Sequence, residues 1–241
     1  MSNFSVLNES NLHNSLKNLY AFQTDGQTEV EKHNHIYDII AKSGEIIEIQ
    51  NQNLKALLPK IKDSLEKGEK IRIVHPVVIC KIIELREKDS TLIHRKKSPK
   101  RGSIYDIFNE IKGIYEVILN KNFTLEVPEI SITEIRTKED NLSQSKNKKR
   151  RFKKDWNKTN KKLNEIGTIH RFNNKSDYLK LLPFNANEEF CAKDLSEKLK
   201  AEKTPARIYK NTNLILWVLK KINLIQHIKT EKRTYYYKIT M

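Results

Sequence analysis

Two acids and an amide, set in an otherwise apolar stretch, are the residues of this chain best suited to chemistry. In HIYDIIAKSGEIIEIQ, residues 35–50, Asp38 sits among Ile36, Ile39 and Ile40, while Glu48 and Gln50 flank Ile49 after Ile46 and Ile47. The β-branched runs predict strands over 35–41 and 45–49. Lys42-Ser43-Gly44 is the turn between them, Gly44 being free to take the positive φ a hairpin needs. Residues two apart on a strand share a face, so Glu48 and Gln50 project together, and the hairpin pairing brings Asp38 toward them. Two carboxylates converging at the end of an apolar sheet are costly to bury unless a cation neutralises them. Hard oxygen ligands suit Mg²⁺, with Mn²⁺ as a substitute. The bland alternative is an amphipathic hairpin that turns its polar residues to water.

The elements around this hairpin have a definite order. Residues 5–22 predict a helix, with Leu12, Leu16, Leu19 and Tyr20 at helical spacing and Glu9 near its start. Residues 28–32 form a short strand. Residues 53–67 carry one apolar stripe (Leu54, Leu57, Leu58, Ile61, Leu65), stopped at Gly68 and interrupted by Pro59, which marks a kink or a late start. Residues 69–79 read as a central strand, with Pro76 at a bulge or at its end. His75 beside it reads as a packed core residue.

This order, with an acid, a spacer of about ten residues and then acid-x-Gln, resembles the PD-(D/E)XK nuclease superfamily over roughly residues 5–80. The resemblance implies a restriction-endonuclease-like α/β core, a mixed sheet flanked by helices. It also implies a metal-dependent phosphodiester hydrolase, with Asp38 and Glu48 as metal ligands and Glu9 joining from the preceding helix. Tyr37 stands where the motif has Pro, and Gln50 where it has Lys. The lysine would position and help deprotonate the attacking water, whereas an amide can only orient it. A lysine from the following helix, Lys55 for example, would restore the cation.

Composition points to a polyanionic partner. The 241 residues include 46 Lys and Arg against 30 Asp and Glu, a net charge of +16, which favours nucleic acid. No apolar run approaches the roughly 20 residues of a membrane span, and there is no basic-then-apolar leader pattern at the N-terminus. Cys80 and Cys191 have no metal-ligand spacing and read as buried thiols of a reducing compartment. The expectation is a cytoplasmic, nucleoid-associated protein.

Further along, 80–86 and 91–96 predict a second hairpin leading into RKKSPKRGS, whose Lys97, Lys100 and Arg101 precede a helix over 104–119. Cations and free N–H groups there would suit a phosphate, a solvated turn being the alternative. Residues 123–136 read as a strand pair or one bent strand. Residues 138–160, nearly free of aliphatics and containing Arg150 and Arg151, read as a basic linker that contacts nucleic acid. Nuclear localisation and plain solvation are the competing readings.

After 161 the pattern turns helical: 163–169, 176–182, a helix within 188–199, and one begun by Thr204-Pro205 that runs to about 222. A β-ribbon with Lys232 and Arg233 at its tip follows. Residues 176–241 resemble a winged helix-turn-helix, which implies DNA contacts from Arg207 and Lys210 on the second helix and from the wing. The domains expected are a nuclease-like unit at 1–137, the linker at 138–160 and a small α+β winged-helix domain at 161–241. The function expected is a Mg²⁺-dependent endodeoxyribonuclease acting on double-stranded DNA, with a homodimer suiting a palindromic target. The alternative is a non-enzymatic DNA-binding regulator with a degenerate core.

Overall fold

A computed structural model describes residues 11–145, 148 and 150–240. An eight-stranded mixed sheet with helices against it is followed by a three-stranded antiparallel sheet with helices of its own. Helix α1 (Asn11–Thr24) leads into β1 (Gln27–Lys32) and β2 (His35–Ile40). The turn with Gly44 at φ 82° then leads to β3 (Ile46–Ile49). β1 and β2 are antiparallel, as are β2 and β3.

Beyond β3, a 3-10 turn at Leu54–Leu57 precedes α2 (Leu58–Glu66), with Pro59 in the first turn, where a missing N–H costs nothing. Pro59 thus marks a late start, and Gly68 closes the helix at φ 74°.

β4 (Ile71–Val74) and β5 (Val77–Arg86) are one column of the sheet broken at His75-Pro76. The break follows from chemistry, because Pro76 has no N–H to give the ladder. β6 (Leu92–Lys97) pairs back on β5. The helix expected at 104–119 is reduced to a 3-10 turn and the four-residue α3 (Phe108–Ile111), followed by i→i+3 turns. Gly113 sits where a Cβ would lie 2.8 Å from the Lys55 side chain, so the chain has tightened against its neighbour.

β7 (Phe123–Ser143) is a single 21-residue strand, parallel to β4 through its first residues and to β5 through the next. It turns back into β8 (Lys154–Phe172), its antiparallel partner. This corrects two expectations. Residues 138–160 are not a linker but the outer half of a long hairpin, and 163–169 is strand, not helix. The expected boundaries at 137/138 and 160/161 therefore cut continuous strands. Residues 138–160 are nearly free of aliphatics because the described side chains there are exposed or only half-buried. Ladder bonds and cross-strand contacts hold this outer part without an apolar layer over it.

Two apolar layers flank the sheet. α1 covers one face with Leu12, Leu16 and Tyr20 on Ile39, Ile47, Ile49, Val74, Ile130 and Ile132. α2 and α3 cover the other, over Ile46, Ile71, Ile73 and Leu125.

The C-terminal unit comprises α4 (Lys175–Leu179), β9 (Phe190–Cys191), α5 (Ala192–Ala201), α6 (Ala206–Tyr209), α7 (Thr212–Lys221), β10 (Ile225–Glu231) and β11 (Thr234–Ile239). The single helix expected from 204 to 222 is two, separated at Lys210-Asn211. The sheet order is β10-β11-β9, and Lys232 and Arg233 turn the ribbon with φ 43° and 68°. This unit shares one continuous core with the α2–α3 face. Ile208, Leu214 and Ile215 lie beside Tyr105 and Phe108, and Trp217 meets Tyr115 edge-on at 5.7 Å between ring centres. Cys80 and Cys191 are free thiols, the latter buried.

Candidate carboxylate site

The register Ile39↔Ile47 places Asp38 opposite Glu48, but the β2–β3 ladder ends at Ile39. Beyond that point the two acids replace ladder bonds. Asp38 Oδ2 accepts the Ile49 N–H at 2.8 Å, and Glu48 Oε1 accepts the Asp38 N–H at 3.1 Å. The carboxylates thus fill the gap where β2 leaves β3. His13 of α1 approaches from one face of the sheet, its Nε2 3.4 Å from Asp38 Oδ1. Lys60 of α2 approaches from the other, its Nζ 2.5 Å from Glu48 Oε1 and 2.5 Å from the Ile36 carbonyl, and 4.4 Å from the centre of the Tyr37 ring.

Burial and charge split the pair. Burial pushes Glu48 up, Asp38 beside it pushes further, and Lys60 offsets only part, leaving Glu48 at about 7. Burial also acts to raise Asp38, but the His13 contact, the Ile49 N–H and Lys60 outweigh it and hold its carboxyl below the usual range. One acid kept ionised beside another held near neutrality marks negative charge that one lysine does not fully compensate.

That chemistry fits a hard divalent cation. Two carboxylates are a usual protein share of a Mg²⁺ shell that waters and phosphate oxygens complete. Among the described residues, no group of three or more His, Cys, Asp or Glu gathers as a fuller metal cage.

The other expected residues are distributed as follows. Glu9 lies outside the described residues. Gln50 adjoins the acids in sequence, but its side-chain amide turns to the Asn53 carbonyl at 3.5 Å. Its own carbonyl accepts from buried His75 Nδ1–H at 2.7 Å, and burial holds His75 below the usual histidine value, as suits a packed core residue. The cation beside the acids is Lys60, not Lys55. Its signal in the sequence was its place on the buried stripe: Lys60 precedes Ile61, one turn before Ser64, whose Oγ bonds Tyr37.

Lys97 ends β6, and Lys100 and Arg101 follow it into solvent, the loop being tied down by Ser98 N–H to Lys81 O and Gly102 N–H to Val78 O. A Cβ on Gly102 would lie 2.5 Å from Val78 O, so only glycine lets this loop lie against the sheet.

Arg207 is spent inside the molecule, donating to both Asp106 oxygens and to the Arg101 carbonyl. Lys210, Lys232 and Arg233 are exposed. Arg150 is half-buried, its guanidinium 4.3 Å over Trp156 and bonded to the Ser143 and Trp156 carbonyls, while Arg151 is exposed beside Phe152. Among the described residues no helix is long and apolar enough to cross a membrane.

The fold and site define a two-part α/β protein whose central sheet holds a buried carboxylate pair where two strands part. The chain belongs to the family described as a domain of unknown function, DUF8091, whose model matches residues 10–173. That match ends just after β8 and takes in the whole eight-stranded sheet, including the hairpin expected to be a linker. The chain is also 29% identical over 189 residues to an uncharacterized protein of Treponema pallidum (strain Nichols), covering 78% of this chain and 72% of that protein. No solved structure matches.

Proposed function

We propose that this protein is a metal-dependent DNA endonuclease with a restriction-endonuclease-like core and a C-terminal winged helix that helps hold double-stranded DNA. The observation that carries the reading is the Asp38–Glu48 pair, meeting in the β2–β3 gap with Glu48 pushed up to about 7. Asp38 and Glu48 would hold Mg²⁺, or Mn²⁺ in its place. When bound, the ion would polarise a phosphodiester and lower the pKa of water. His13 and the Ile49 N–H keep Asp38 ionised and oriented for that task. Lys60 supplies beside Glu48 the ammonium that the superfamily pattern places at Gln50, where it can orient water as a hydrogen-bond donor. Lys97, Lys100 and Arg101, the basic hairpin with Arg150 and Arg151, Lys210 and the Lys232–Arg233 tip supply cations for the duplex backbone. Such a protein would work in the cytoplasm on the nucleoid, and as a homodimer on a palindromic site.

A second reading, a DNA-binding regulator with a degenerate core, is favoured by one specific feature. Both acids already satisfy backbone N–H groups, and Lys60 already neutralises part of Glu48.

The deciding experiment is incubation of supercoiled and linear plasmid with Mg²⁺, Mn²⁺ or EDTA, using the wild type, Glu48→Ala, Lys60→Ala and Lys55→Ala. Metal-dependent cutting lost in the first two variants and kept in the third is the expected result. Salt-sensitive retention of DNA without any cutting would transfer the reading to the regulator.

A further inference from the structure

β5, β7 and β8 run on past the part of the sheet that α1 covers, and there the same face changes from apolar to cationic. Ile130 and Ile132 are buried beneath α1, and Glu134 and Arg136 continue along β7 at the same two-residue spacing. Glu134 is 1% exposed. It accepts from Arg136 Nη2 at 2.6 Å and Nε at 2.8 Å, with Lys158 Nζ at 3.2 Å and Lys81 Nζ at 3.4 Å. Lys161 stands directly across from Glu134 in the β7–β8 register. It is half-buried, and its ammonium makes no hydrogen bond or ion pair among the described residues. Burial and the neighbouring Lys158 and Lys81 hold it below the usual lysine value, although Glu134 opposes them.

Four cations therefore share one carboxylate, and three positive charges stand uncompensated. The surplus continues outward. Arg136 lies 3.9 Å over the Trp156 ring and Arg150 4.3 Å from it. Exposed Lys96 pairs with Ile83, which in turn pairs with Glu134, so it joins the same face. From Lys161 to Trp156 is five residues of strand, about 17 Å at the usual rise, which is about five base pairs of duplex. A fold gains nothing from gathering like charges beside a half-buried ammonium, whereas an added row of anions relieves every one of them.

We propose that this face of the β5–β8 sheet is a nucleic-acid contact separate from the carboxylate site, taking backbone phosphates of a DNA duplex. Lys81, Lys158 and Lys161 take one stretch of backbone, and Arg136 and Arg150, held by Trp156, take the next. The Trp156 ring is engaged by two guanidinium groups, so the surface offers charge rather than a platform for stacked bases, which favours duplex over single strand. The choice of DNA as the polyanion rests on the endonuclease reading. The surplus of positive charge does not.

The test is fluorescence anisotropy of the full chain on a labelled duplex of about 20 base pairs, in EDTA, across about 50 to 300 mM salt, where each phosphate contact adds about 0.9 to the slope. Lys158→Gln with Lys161→Gln is expected to lower that slope by about two and to weaken binding at least tenfold near physiological salt. Lys96→Gln with Lys158→Gln, which leaves Lys161 and the Arg136 and Lys81 partners of Glu134 in place, should also lower it. Lys62→Gln with Lys67→Gln, removing equal charge from the outer face of α2, should leave it unchanged. Wild-type slope and affinity in both stripe variants would overturn the proposal, as would tighter binding of an RNA duplex of the same sequence. Binding is read without metal, so a protein that holds DNA through this face and never cuts it sinks the endonuclease reading alone.

Discussion

Replacing Glu48 by glutamine should change how stability depends on pH. In the folded chain Glu48 titrates at about 7, raised from 4.5 by burial and by Asp38. A raised carboxyl favours the neutral form, so its contribution to stability is fully present below about 4.5 and is lost as pH rises to about 7. That difference corresponds to roughly 3 kcal/mol, most of it lost between about pH 5 and pH 8.5. Between about pH 5 and pH 8.5 the wild type should therefore lose stability on the order of 2–3 kcal/mol as Glu48 ionises beside Asp38. Glu48→Gln removes the titration while keeping an acceptor for the Asp38 N–H. It also removes the negative charge that Lys60 faces, so the comparison is of pH slopes and not of absolute stabilities. The assay is urea unfolding of both proteins at several pH values. At about pH 8.5 Mg²⁺ should also raise the midpoint of the wild type and not that of the variant, because only the former offers a charged pair. An unchanged pH slope in Glu48→Gln would refute the account of the pair as uncompensated charge.

Two further outcomes follow from the sheet itself. Glu134 is held down to about 2 by Arg136, Lys158 and Lys81 against the effect of burial, so its stabilisation is present above about 4.5 and is lost as pH falls toward 2. Glu134→Gln should therefore destabilise the protein at neutral pH and flatten its acid limb in urea titrations. The loss should be on the order of 1–2 kcal/mol, discounted because the Lys158 side chain reaches water. Gly102→Ala places a methyl 2.5 Å from the Val78 carbonyl, against backbone that cannot swing away. A loss on the order of 1–3 kcal/mol in thermal or urea unfolding is expected, with the basic loop displaced from the sheet.

Much of the N-terminal half was legible because its signals are local. Alternating β-branched residues, Gly44, Gly68 and the placement of Pro59 and Pro76 each restrict the backbone on their own, and the elements formed where those restrictions put them. The long hairpin was not legible. Residues such as 153–162 carry no apolar alternation, because no apolar layer covers them and the partly buried face is charged; they are strand because β7 is there to pair with them. The same limit applied at α3, where the chain packs close against Lys55 at Gly113, and at Arg207, whose partner Asp106 is 101 residues away.

By itself the sequence determined that two acids lie across one tight hairpin, that the chain carries a large positive surplus, and that a helical segment ends in a charged ribbon. These are properties of composition and near-neighbour spacing. Only the tertiary structure decided that β2 leaves β3 at the acids, so that carboxylates take over ladder N–H groups, and that α2 delivers Lys60 where the strand offers Gln50. It alone gathered Lys81, Lys158 and Lys161 around Glu134. The physical reason is common to all three. Charge and burial depend on distance through space, and elements 10 to 80 residues apart in sequence set those distances only once they are packed together.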